Sequence, residues 1–182
     1  MGRLKHRTAP GWTYFVTTKT WQNRALFQVP ENNRILIECM FRHRDAGAYL
    51  LHEFVVMPNH LHLILTPSTQ TTLEKAMMLI KGGSSHDIHR QGGINIQLWA
   101  SGFHEASIRD HGDYLSKSAY IRSNPVEAHL VSEPEDWPHG SVCRAFRMDE
   151  LPHRLLSPGA KAPFNANALM SELKLRPPKN LR

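Results

Sequence analysis

An α+β domain built on an antiparallel sheet is what this 182-residue chain predicts. Three observations carry that reading. Two apolar runs, residues 50–56 and 60–65, flank the turn Met57-Pro58-Asn59, as the two strands of a hairpin do. Residues 12–18 are rich in β-branched and aromatic side chains and predict a further strand. Segments with apolar residues at helical spacing then sit between the strands.

Taken in order, the strand at 12–18 leads to a helix opened by Pro30, a residue suited to a first turn. Ile35, Leu36, Cys39 and Met40 recur on one face of it, and Gly47 ends it. The hairpin spans about residues 49–66. In its second strand His60, His62 and Ile64 alternate with Leu61, Leu63 and Leu65, so the two sets point to opposite faces. The leucines require a cover of helices. The two imidazoles, roughly 6.5–7 Å apart along the strand, can converge on one divalent metal ion. Thr71 and Glu74 have capping-box spacing and open a second helix whose inner face is Leu73, Ala76, Met77 and Ile80. Gly82-Gly83 weakens that helix. Residues 102–109 read as a fourth strand. The order β-α-β-β-α-β is the ferredoxin-like arrangement, with both helices on one face of the sheet and the other face free for a site.

A third helix follows. Asp113 is a candidate N-cap, and the helix is expected to run to Asn124, with Pro125 opening a separate short turn. Tyr114, Leu115, Ser118 and Ile121 fall on one side; Asp113, Lys117, Tyr120 and Asn124 fall on the other. Tyr120 and Asn124, four apart, are neighbours on the helix surface.

Composition narrows the function. Hydrophobic residues make up 41% of the chain, and no apolar run approaches the ~20 residues of a membrane span. No secretory signal is read at the N-terminus. The two cysteines, Cys39 and Cys143, form no disulfide framework and suit a reducing cytoplasm. Net charge is +6, and both ends are basic: Arg3, Lys5, Arg7, Lys19 and Arg24 precede the first acidic residue, Glu31. Such ends suit a polyanion. Arg3, Lys5, Arg7, Lys81 and Lys117 are therefore candidate DNA contacts. The stretch from Lys81 to Ser85 could approach a phosphodiester, or could be a simple helix break.

The segments Val56-Met57-Pro58-Asn59-His60-Leu61-His62-Leu63-Ile64 and Tyr120-Ile121-Arg122-Ser123-Asn124-Pro125-Val126 resemble the REP-associated tyrosine transposases, which are IS200-like, single-tyrosine HUH transposases. Leu98-Trp99, residues 102–105, residues 108–110 and residues 133–138 are similar to that family too, so the likeness covers about residues 10–145. It departs at His129, where a glycine is common, at His139-Gly140, and at Gly82-Gly83. The resemblance implies a ferredoxin-like fold whose tyrosine helix lies near the face opposite the other two helices. It implies a divalent metal, Mg2+ or Mn2+, held by His60, His62 and Asn124. It also implies a nucleophile, Tyr120, that cuts single-stranded DNA at palindromic repeat hairpins through a 5′-phosphotyrosine. The expected partner is single-stranded or hairpin DNA and no membrane, for a cytoplasmic monomer or homodimer. Residues 1–145 would be the catalytic domain, and residues 146–182 a basic, proline-rich tail with a possible short helix at 166–175. The competing reading is a ferredoxin-like DNA-binding regulator without catalysis. A structural zinc site is disfavoured because cysteine ligands at the usual spacing are missing.

Overall fold

Among the described residues, four strands and three α-helices form in the order the alternation of periods dictates. They are β1 (Tyr14–Lys19), α1 (Pro30–Asp45), β2 (Tyr49–Met57), β3 (His60–Pro67), α2 (Leu73–Gly92), β4 (His104–Ser107) and α3 (His111–Glu127). This computed structural model describes residues 11–93 and 95–156. The sheet order is β2-β3-β1-β4, with every pairing antiparallel. That is the ferredoxin-like topology the chain order implies.

Two cores lie on the two faces of the sheet. Leu61, Leu63 and Leu65 of β3, with Tyr14 and Val16 of β1, pack against Ile35, Leu36 and Met40 of α1 and Leu73, Met77 and Ile80 of α2. Ile64 of β3, with Phe15, Val55 and Met57, packs on the other face against Tyr120 and Ile121 of α3. β3 is therefore buried along its whole length.

Strict alternation does not hold in β2. Leu51 pairs with Leu65, but the next pair is Glu53 with Ile64, so His52 is an extra residue in a bulge. Leu51 points to the helix-covered core, and beyond the bulge Phe54 and Val56 do so too. Glu53, Val55 and Met57 are thereby turned toward α3. The Glu53 carboxylate is 3% exposed. One of its oxygens accepts from Tyr114 Oη at 3.2 Å, Ser118 Oγ at 2.9 Å and Arg122 Nη2 at 2.5 Å, all on α3. Its other oxygen accepts from Ser141 Oγ at 2.5 Å. A buried charge is tolerable only when paired and hydrogen-bonded in this way, and here the pairing docks α3 on the sheet.

The structure corrects several local expectations. Thr72, not Thr71, caps α2, accepting from Lys75 N at 3.2 Å. Gly82-Gly83 does not break α2, which runs through both. A Cβ on Gly83 would lie 2.8 Å from Cys39 Sγ, whereas one on Gly82 would meet nothing within 4 Å. Gly83 thus packs against α1 at Cys39, and the apparent breaker is a packing residue. Asp110, not Asp113, caps α3, accepting from Asp113 N at 2.8 Å. The Asp113 side chain instead reaches back to Arg109 N. α3 also continues through Pro125, which forfeits a single amide donor near the helix end. Leu115 is 52% exposed while Tyr120 is 1% exposed, so the buried face of α3 is rotated from the expected stripe toward Tyr120, Ile121 and Asn124.

Residues 146–156, assigned above to the tail, pack on the domain. Phe146 stacks with Phe41 and meets Phe54 edge-on. Asp149 Oδ2 accepts from Leu51 N at 2.7 Å beside the bulge. The His52 ring bridges Asp149 O at 3.2 Å and Thr66 Oγ1 at 2.8 Å. The remainder of that segment, including 166–175, lies outside the described residues. Among the described residues no helix is long and apolar enough to cross a membrane.

Two outcomes test this packing. Gly82→Ala should raise stability by up to about 1 kcal/mol, and Gly83→Ala should lower it by about 1–3 kcal/mol through overpacking. Urea midpoints of equal sign for the two variants would contradict the close approach at Cys39. Burial also holds His52 below its ordinary value of 6.5. The folded chain keeps that ring neutral while the unfolded chain takes up a proton below about pH 6.5. Stability is therefore full above that pH and falls as the pH drops, by at most about 1.4 kcal/mol per pH unit for this group. His52→Gln should make the decline in urea midpoint between pH 7 and pH 5 shallower.

Candidate functional site

The face of the sheet under α3 collects the polar side chains that strand alternation sends there. On β1 this face carries Phe15, Thr17 and Lys19; on β3 it carries His60, His62 and Ile64. The antiparallel register sets Thr17 opposite His62 and Lys19 opposite His60. Thr17 Oγ1 lies 2.7 Å from His62 Nδ1, and Phe15 stacks on the His62 ring at 5.5 Å and 20°. His60 Nδ1 lies 2.7 Å from Asn59 Oδ1. An amide oxygen only accepts, so His60 Nδ1 carries the proton and Nε2 bears a lone pair. That Nε2 is buried with no hydrogen-bond partner. The two imidazole centroids are 4.7 Å apart.

α3 closes the site from above. Tyr120 Oη lies 3.4 Å from His62 Nε2. Its ring meets His62 edge-on at 5.1 Å and Phe15 edge-on at 5.9 Å. Asn124, one turn on, is 6% exposed. Its side chain acts on both Tyr120 and His60. Lys117, one turn before Tyr120, holds its ammonium 5.4 Å from the centroid of the Phe15 ring.

Burial dominates the electrostatics. It lowers His60 to about 4, aided by the charge of Lys19 and opposed by the Asn124 side chain. It holds His62 well below 6.5, with His60 and Lys19 adding to the effect. Both rings are thus neutral at pH 7, the state in which imidazole ligates a metal. Burial also raises Tyr120 to about 12, against the Asn124 side chain, which favours the phenolate, and with Glu127 adding to the rise. The phenol is fully protonated at pH 7 and needs activation before it can act as a nucleophile.

Among the described residues no cluster of three His, Cys, Asp or Glu side chains is found. The donor set here is two imidazoles and an amide. Each His Nδ1 is held by a neighbour, which orients the ring as supporting partners of metal ligands do. The unpaired, buried Nε2 of His60 is a donor atom that a cation would satisfy. His60, His62 and Asn124 thus fit a divalent ion.

The structure brings His60, His62, Tyr120 and Asn124 together, and sets Lys117 beside them. Lys81 lies elsewhere: its Nζ donates to Ala100 O at 2.9 Å and to Gly102 O, and burial lowers it to about 8. Lys81 thereby ties the segment before β4 to α2. Arg3, Lys5 and Arg7 lie outside the described residues. Sequence reasoning missed three supporting residues. Asn59 and Thr17 give no signal until the register is known. Glu53 does: it is the one carboxylate inside the apolar run 50–56.

Comparison with known proteins agrees with this architecture. A family model described as "Transposase IS200 like" matches residues 14–124. The REP-associated tyrosine transposase of Escherichia coli (strain K12) is 26% identical over 145 residues, covering 79% of this chain and 84% of that protein. The fold is also similar to a solved REP-associated tyrosine transposase bound to a REP hairpin, with a TM-score of 0.68 and 23% identity over 91% of this chain and 96% of that one. The family match runs from the first residue of β1 to Asn124, and so takes in the sheet, both histidines and the tyrosine. By that match, this chain belongs to the IS200-like transposase family.

Proposed function

We propose that the chain is a metal-dependent endonuclease and strand transferase for single-stranded DNA. It acts at palindromic repeat hairpins, and Tyr120 forms a 5′-phosphotyrosine. One observation carries this reading: the Tyr120 hydroxyl sits 3.4 Å from His62 Nε2, beside the orphaned Nε2 of His60. Family membership and the net charge of +6 support it. So does the solved relative, which is described as bound to a REP hairpin.

In the proposed step Tyr120 Oη attacks a backbone phosphorus. The Oη–P bond forms, the bond from phosphorus to the 3′-oxygen breaks, the phenol loses its proton and the departing 3′-oxygen gains one. The reverse attack by that 3′-hydroxyl rejoins the strand, so no nucleotide cofactor is consumed. His60, His62 and Asn124 would hold Mg2+ or Mn2+; an amide oxygen and phosphate oxygens suit these hard ions. When bound, such an ion polarises the scissile phosphate and offsets charge in the transition state. Thr17 and Asn59 keep the two rings aimed inward. Phe15 and Ile64 exclude water beneath the phenol. Lys117 offers a positive charge to the phosphate or the phenolate.

The test is a labelled hairpin with a single-stranded flank, incubated with Mn2+ and run on a denaturing gel. Wild type should give a covalent adduct that chelator prevents. Tyr120→Phe should bind the hairpin with unchanged affinity and give no adduct. An adduct from Tyr120→Phe would refute the assignment, and hairpin binding with no adduct from wild type would favour the regulator reading. Thr17→Val, which frees the His62 ring, should weaken Mn2+ binding by roughly 10- to 100-fold in a direct titration of the protein.

A further inference from the structure

We propose that Trp21 is a stacking platform for a base of the single strand that leads into the His60–Tyr120 cluster. The inference rests on the DNA reading above and deepens it.

Trp21 lies two residues beyond Lys19, the register partner of His60. Its backbone is pinned. Trp21 N donates to Leu98 O at 2.9 Å, and Thr20 N donates to Asn59 O at 2.9 Å. Thr20 Oγ1 lies 2.6 Å from Arg24 O and 3.0 Å from Asn59 O. Asn59 is the residue whose side chain orients His60. One residue therefore ties both the imidazole and the turn that carries the indole.

The turn is built to display rather than bury. Trp21 is 37% exposed, while Leu98 and Trp99, against which the turn is fastened, are 1% and 6% exposed. Gln22 and Asn23 hold φ of 56° and 55°, a left-handed conformation that non-glycine residues rarely adopt. Strain of this kind persists where the surrounding structure over-determines it, and it clusters at ligand-binding sites. Lys19 and the exposed Arg24 bracket Trp21 along the chain, and no acidic residue precedes Glu31. Positive charge beside an open aromatic face is the combination that binds single strands, since phosphates meet the cations and any base can stack.

A second exposed tryptophan supplies the contrast. Trp12 precedes the opposite end of β1 and is 42% exposed, but the Arg154 guanidinium lies 5.1 Å over its ring. That face is already stacked, and it lies away from the histidines.

The experiment measures affinity in chelator, so that nothing is cut. The probes are a labelled hairpin with a single-stranded flank, the same hairpin without the flank, and a series with one abasic site moved along the flank. Trp21→Leu keeps apolar bulk without an aromatic face. It should weaken the flanked hairpin by roughly 5- to 150-fold, the worth of one base stack, and leave the flankless hairpin unchanged. Trp21→Tyr should restore most of the loss, and Trp12→Leu should match wild type. At one flank position the abasic site should weaken wild type by the same factor and leave Trp21→Leu unaffected. Equal abasic losses in both proteins, or full affinity in Trp21→Leu, would overturn the proposal. If wild type binds neither hairpin, the DNA reading itself fails and this inference falls with it; equal, tight binding of both hairpins overturns this inference alone.

Discussion

Burial of β3 on both faces is the constraint on which the rest depends. A strand presents alternate residues to opposite sides, and here both sides are covered. Leu61, Leu63 and Leu65 lock one side to α1 and α2. Each such leucine contributes roughly 1.5–3 kcal/mol when fully buried. A one-residue slip in register would send all three into the α3 face and both imidazoles into the apolar core. The leucines thus hold the histidines in place although they never touch the chemistry.

That placement determines the electrostatics. Desolvation acts in the same sense on all three ionisable groups, disfavouring the charged form of His60, His62 and Tyr120 alike. A neutral imidazole has a lone pair with which it can ligate a metal, while a neutral phenol must lose its proton before it can attack. Asn124 is the counterweight, easing charge on both His60 and Tyr120. Its position one helical turn from Tyr120 follows from the helix geometry alone.

The tyrosine helix is held by a different device. α1 and α2 dock largely through apolar contact, with Tyr49 Oη donating to Met40 O and Arg42 pairing with Asp87 between the two helices. α3 is also held by the buried Glu53 carboxylate of β2, which accepts from three of its side chains. Apolar contact permits sliding; a hydrogen-bonded ion is directional and defines azimuth. The phenol reaches His62 because Glu53 and the second core agree on how far α3 is rotated.

Much of this was legible in the chain. The element order and the opposite facing of His60/His62 and the leucines follow from periodicity and covalent order, which need only local sequence. The tertiary structure alone decided three matters. The bulge at His52 reverses the facing of β2, and a single extra residue leaves no trace in an apolar run. The rotation of α3 buries Tyr120 and exposes Leu115, because the carboxylate that orients the helix comes from a strand some sixty residues earlier. The role of Gly83 within the continuous α2 depends on Cys39 lying opposite, where there is little room for a side chain. In each case the deciding contact joins residues far apart in the chain, and no local pattern encodes it.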